Sequence, residues 1–240
     1  MIRRLLALLA LAACSAQAGE VVFASKPSRT HLLELFTSEG CSSCPPAEAW
    51  LSNLKKEPQL WRDFVPLAFH VDYWDHLGWR DPFASKLWTA RQYEYSARWK
   101  SGSVYTPGFV LDGHEWRNEN VPTPSAEAAG VLTIRLLDGE RATATFQPAR
   151  GAGREYEIHL ARLGFELRTD VKAGENSGRK LRHDFVVVSL TNEVMQGGAK
   201  ELRFPGAGSG QTAGARGALA AWVTEAGQME AIQAVGGWLP

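Results

Sequence analysis

Cys41 and Cys44 stand two serines apart where an apolar run meets a helix start, and that junction restricts the folds open to this chain more than any other feature. Residues 31–36, His-Leu-Leu-Glu-Leu-Phe, are strand-compatible and end in the turn-forming Thr37-Ser-Glu-Gly40. Beyond the cysteines, residues 45–56 read as a helix with Trp50, Leu51 and Leu54 on one face. Pro45 and Pro46 mark its start, because N–H groups in the first turn lack intrahelical partners anyway. With Ser43 as N-cap, both sulfurs lie at a helix N-terminus, whose partial positive charge favours a thiolate.

Whether that pair is reactive, structural or metal-binding depends partly on the compartment. The chain begins M-I-R-R-L-L-A-L-L-A-L-A-A-C-S-A-Q-A-G-E, two arginines before an apolar run and then small residues, which is the layout of a secretory signal. Ala16-Gln17-Ala18 fits cleavage after residue 18. Leu11-Ala12-Ala13-Cys14 equally fits a lipoprotein signal ending at 13, with Cys14 as the lipid anchor. Either way a periplasmic or secreted protein is expected. Of three cysteines, Cys41 and Cys44 are then the mature thiol inventory, expected to be disulfide-bonded in an oxidising compartment. A loop closed over two residues removes little unfolded-chain entropy, so the bond reads more naturally as a redox device than as a brace.

Basic and acidic side chains balance at 26 each, which leaves no strong field for nucleic acid or an anionic membrane surface. Residues 64–71 read as a second buried strand, 72–82 as a loop and 84–100 as a helix. A turn through Thr106-Pro107 leads into a third strand at 109–111, and Asp112-Gly113 is a hairpin signal. Residues 118–130 read as a linker or short terminal helix. Beyond them come many short alternating strands with glycine-rich turns, suggesting a β-sandwich. The glycine-rich 206–214 lacks a phosphate-loop ending and reads as a loop, and 174–179 as a polar turn that could contact a partner.

The order strand, Cys-x-x-Cys helix, strand, helix, X-Pro, strand, hairpin strand resembles the thioredoxin fold. The strings E-L-F-T-S-E-G-C-S-S-C-P-P-A (34–47), F-H-V-D-Y-W-D-H-L-G-W-R-D-P-F-A-S (69–85) and V-Y-T-P (104–107) also resemble a family of exported bacterial proteins of unknown function. The expected architecture is therefore an α/β thioredoxin-like domain over 27–128, followed by an all-β sandwich-like domain over 129–240. The resemblance implies Cys41 as the attacking cysteine and Cys44 as the resolving one. It also implies Thr106 and Pro107 facing the disulfide, with Pro107 cis. One departure stands out: the buried acid that redox relatives often keep six residues before the first cysteine is Leu35 here, and Glu34 lies on the other face of the strand.

If the first two core strands are parallel, the 70–81 loop lies near Cys41 at their carboxyl edge. It brings Asp72, Trp74, His76 and Trp79 as candidate substrate-binding residues, against the reading in which the tryptophans form only a local minicore. His70 or His76 with both cysteines could instead make a Cu or Zn site, but the cysteine spacing does not favour it, and no metal ligand is assigned. His31, His114, His159 and His183 show no ligand spacing. The leading expectation is a thiol–disulfide exchange protein acting on protein or peptide thiols and disulfides, with no organic cofactor. The competing one is a non-catalytic binding protein with a passive disulfide.

Overall fold

The computed structural model describes residues 21–118, 120–138, 140–150, 154–203 and 217–240. The signal-like N-terminus with Cys14, and the 206–214 loop, lie outside the described residues.

Of the described residues, 45% are in β structure and 15% in helices. In order come β1 (Val21–Ala24), β2 (His31–Thr37), α1 (Cys44–Asn53), β3 (Phe64–His70), α2 (Lys86–Trp99), β4 (Gly108–Leu111) and β5 (His114–Trp116). Then follow β6 (Gly130–Leu136), β7 (Arg141–Pro148), β8 (Tyr156–Gly164), β9 (Leu167–Asp170), β10 (Lys180–His183), β11 (Val186–Met195), β12 (Ala199–Arg203), β13 (Gly217–Glu225) and β14 (Gln233–Trp238). Among the described residues of 118–129 there is no helix, only an isolated bridge from Ser28 to Ala128.

This corrects the expected fold class. An α/β thioredoxin-like domain followed by a separate sandwich would keep the two sets of strands apart. Instead, strands from both halves share one eight-stranded sheet in the order β14-β13-β8-β11-β3-β2-β4-β5. β3 lies parallel to β2 on one side and to β11, through Val186 opposite Ala68, on the other. All seven residues of β3 are buried, so neither of its edges is left to solvent, and the early strands gain a partner from the late ones.

Alternation along the strands decides what each face meets. Along β2, Glu34 reaches α2 through Arg91, whereas Thr37 reaches α1 through Glu48, so the helices lie on opposite faces. Along β13, Ala218, Ala220 and Trp222 join the core that includes both helices, while Leu219, Ala221 and Val223 join a second core. That second core is closed by a four-stranded sheet, β1-β6-β7-β12, contributing Leu132, Ile134, Ala142, Ala144 and Phe146. Local chemistry sets three element boundaries. Ser85 caps α2 by accepting from the Leu87 amide at 3.2 Å. Ser43 occupies the N-cap of α1, though its side chain makes no capping bond. The Asp112-Gly113 hairpin turn has φ of 50° and 94°, the left-handed conformation such two-residue turns require.

Candidate functional site

Cys41 and Cys44 form a disulfide at the N-terminus of α1. Cys41 is 1% exposed and Cys44 fully buried, while Ser42 and Ser43 between them are exposed. The Cys41 sulfur lies 3.3 Å from Ser43 Oγ and 3.7 Å from the Thr106 carbonyl oxygen. The Thr106–Pro107 peptide is cis, just before β4. Beside the disulfide runs a groove of about 690 Å³, walled by Trp50, Tyr105, Pro107, Phe109 and Trp116 and reaching Ser43.

The 72–81 loop reaches the same region through its tryptophans. Trp74 Nε1 donates to Thr106 Oγ1 at 2.8 Å, and Trp79 Nε1 donates to Glu39 Oε2 at 2.7 Å. Asp72 accepts from Thr89 Oγ1 at 2.6 Å, and the exposed His76 is bonded through Nδ1 to the Tyr73 carbonyl. Gly40, immediately before Cys41, lets Trp74 come close: a Cβ at position 40 would stand 2.7 Å from Trp74 Cβ. None of Asp72, Trp74, His76 or Trp79 lines the groove itself.

Sequence reasoning missed what holds the cysteine loop. The polar turn at 174–179, between β9 and β10, grips it from the late half of the chain. Asn176, fully buried, donates through Nδ2 to both the Glu39 and Cys41 carbonyls at 2.9 Å, and Arg179 donates to its Oδ1 at 2.8 Å. Glu175 accepts from the Ser42 amide at 2.8 Å, a bond that lowers its carboxyl pKa. Asn176→Ala removes two buried bonds and is expected to cost about 2 kcal/mol, read as a lower denaturation midpoint in the oxidised protein. A shift below a quarter of that would show that the loop holds its shape without the turn.

A buried polar network stands at the carboxyl ends of β2 and β3. Thr37 donates to Glu48 Oε1 at 2.5 Å, and the other Glu48 oxygen bonds His183 Nδ1. His183 Nε2 bonds Glu39 Oε1 at 2.9 Å, and His70 Nδ1 bonds Asp81 Oδ2 at 2.7 Å. Asp81 Oδ2 also accepts from the Glu39 amide at 2.9 Å. Burial works against charge on His183, but the Glu48 carboxylate and the bonds to Glu39 and Glu48 prevail and raise its pKa to about 10. Burial likewise opposes ionisation of Glu48 and Asp81, and their imidazole partners outweigh it, lowering both. His183 was read as lacking ligand spacing, yet the fold sets it beside His70 and Glu48, their ligand atoms within 4.8 Å of one another. Glu34, as the strand alternation implied, faces away from this network.

The family profile for "Protein of unknown function (DUF1223)" matches residues 32–224, which include the cysteine pair, the network and the 174–179 turn. The chain belongs to that family. No match to it was found among curated proteins. Of solved structures, protein AGR_C_4864 from Agrobacterium tumefaciens is 24% identical, with a TM-score of 0.60 over 90% of this chain and 96% of that one. HBP35 of Porphyromonas gingivalis is 15% identical, with a TM-score of 0.57 over 90% of this chain and 76% of that one. At these identities the family member shares a fold with both, and the likeness extends no further.

Proposed function

We propose that the Cys41–Cys44 pair carries out thiol–disulfide exchange, outside the cytoplasm, with protein or peptide segments laid in the groove beside it. The observation that supports this reading is the setting of the bond. It lies at the positive end of α1, against Thr106–Pro107, beside a groove of about 690 Å³ whose lining includes the rings of Trp50, Tyr105, Phe109 and Trp116. In one direction, a client thiolate attacks the Cys41 sulfur, the Cys41–Cys44 bond breaks, and its electron pair leaves on Cys44 as a thiolate. A second client thiolate then attacks the client sulfur of the mixed disulfide. The client leaves as a disulfide, and two electrons stay on the cysteine pair. The reverse sequence reduces a client disulfide. Trp74 belongs to this reading as a positioning residue, outside the groove, that holds Thr106 in place through its indole N–H. Asp72, His76 and Trp79 enter it through the loop they share with Trp74.

The 1% exposure of Cys41 favours a second reading, a binding protein whose disulfide is passive. On the first reading, Cys44→Ser accumulates mixed disulfides with client proteins, and these vanish when Cys41→Ser is added. The reduction potential then falls at about −270 mV or higher. A potential well below about −300 mV, with no trapped client, makes the bond inert to ordinary exchange and leaves the groove to ligand binding alone.

A further inference from the structure

The geometry points to a divalent-metal site, distinct from the cysteine pair, built from His70 Nε2, His183 Nδ1 and a Glu48 carboxylate oxygen. This goes beyond the exchange reading and holds or fails independently of it.

Three features carry it. First, the three groups are buried, at 1% exposure for each histidine and 7% for Glu48, and their ligand atoms lie within 4.8 Å of one another. Second, each histidine has one nitrogen tied to a carboxylate outside the set: His70 Nδ1 to Asp81, and His183 Nε2 to Glu39. An imidazole that donates to a carboxylate through one nitrogen is oriented, and made more basic, at the other, which is how metal-binding histidines are commonly supported. Third, His70 Nε2 is buried with no hydrogen-bond partner, although buried ring nitrogens are normally satisfied. Because Nδ1 is engaged by Asp81, the proposal assigns Nε2 as the His70 atom that joins Glu48 and His183.

The remaining contact in the set is the one between His183 Nδ1 and Glu48. On metal binding the proton between them leaves and the ion takes its place. Glu48 and His183 move apart, and His70 Nε2 closes in, because an ion about 2.0–2.2 Å from each ligand holds them nearer than 4.8 Å to one another. The exchange is a competition between the ion and the proton that the carboxylates hold on His183. Glu39, Glu48 and Asp81 converge on two imidazoles in a dry region, and a divalent ion brings two positive charges where the displaced proton brought one. Two imidazoles and one carboxylate suit Zn²⁺.

This site differs from the sequence-level alternative, which paired a histidine with both sulfurs. In the disulfide form the sulfurs are no longer thiolate ligands, so oxidised protein separates the two. Oxidised, chelator-stripped protein is loaded with ZnCl₂ alone, both by soaking the folded chain and by refolding it in the metal, then desalted and analysed for zinc. One Zn²⁺ per chain is expected. Retention falls at least about tenfold in His70→Ala and in Glu48→Gln, and stays unchanged in His114→Ala, an exposed histidine on β5. Should either site variant fail to fold, Co²⁺ substitution of the unaltered oxidised chain decides. A visible d–d spectrum without a thiolate charge-transfer band supports the site. No metal under either loading, retention indifferent to both folded variants, or a thiolate band each overturns it.

Discussion

Arg91→Met lowers the free energy of unfolding by about 3–5 kcal/mol, the range for removing one partner of a buried ion pair. Glu34 is fully buried on β2, and Arg91 on α2 meets it through two bonds, Nε to Oε2 at 2.6 Å and a terminal nitrogen to Oε1 at 3.0 Å. Tyr95 also donates to Glu34 Oε1, at 2.5 Å. The guanidinium is stacked in as well as paired: its carbon lies 5.5, 5.2 and 5.4 Å from the ring centres of Phe69, Tyr95 and Trp222. Burial works against its charge, but Glu34 more than compensates and raises its pKa, so the guanidinium is charged in the fold. Methionine keeps much of the packing and leaves the carboxylate without its countercharge, held by the Tyr95 hydroxyl alone. Adding Glu34→Gln to Arg91→Met is therefore expected to return part of the loss, since the stranded charge goes with it. Denaturant unfolding of the two single variants and the double measures both effects. A single-variant loss under about 1 kcal/mol would mean that water reaches Glu34 and that the pair is not what fixes α2 to the sheet.

The second large effect is on acid stability. His159, on β8, is stacked on Trp222 with ring centres 4.9 Å apart, and its Nε2 lies 3.1 Å from Thr224 Oγ1. Burial, reinforced by the nearby Arg91 charge, lowers its pKa from 6.5 to about 3. Below pH 6.5 the unfolded chain therefore takes up a proton at position 159 that the folded chain refuses. The resulting stability is full above 6.5 and is lost as pH falls toward 3, at about 1.4 kcal/mol per pH unit. Between pH 7 and pH 5 this group alone removes about 2 kcal/mol. His159→Phe keeps an aromatic ring against Trp222 and takes up no proton, so its unfolding free energy should fall less steeply over the same interval. Parallel pH dependences for the two proteins would rule out His159 as the source.

Much of the local structure was legible because its causes are local. Pro45 and Pro46 place the start of α1, Ser43 its N-cap, and Asp112-Gly113 turns β4 into β5. The cysteine disulfide was legible from the inventory of thiols. The architecture was not. β3 is buried along its whole length and β13 along all but its ends, so neither carries a period-2 signature that names its neighbour. Nothing local tells Ala68 that its partner is Val186 rather than another early strand. The thioredoxin-like order of early elements therefore suggested a closed unit where the sheet in fact runs on. The network was hidden for the same reason. Glu48 gave no sign beyond being the one charged residue of α1, and His183 sits in a four-residue strand with no motif around it. Only the 174–179 turn offered a hint: its polarity suggested a contact, and the partner is the chain's own cysteine loop.

The order in which contacts become available gives the cysteine pair two successive environments. Thr37 and Glu48 are 11 residues apart in sequence, so their bond closes a short loop. The bonds from His183 to Glu48 and Glu39, and from Asn176 to Cys41, span 135, 144 and 135 residues. Contacts of such separation carry the larger loop-closure entropy and form late. A chain emerging from its N-terminus thus presents Cys41 and Cys44 as an ordinary dithiol on a nascent strand and helix, open to any oxidant. The imidazole, the asparagine and the late strands close over the pair only once most of the sequence has been made. Whatever fixes the oxidation state of these sulfurs during synthesis meets a different chemical object from the one that the folded protein offers.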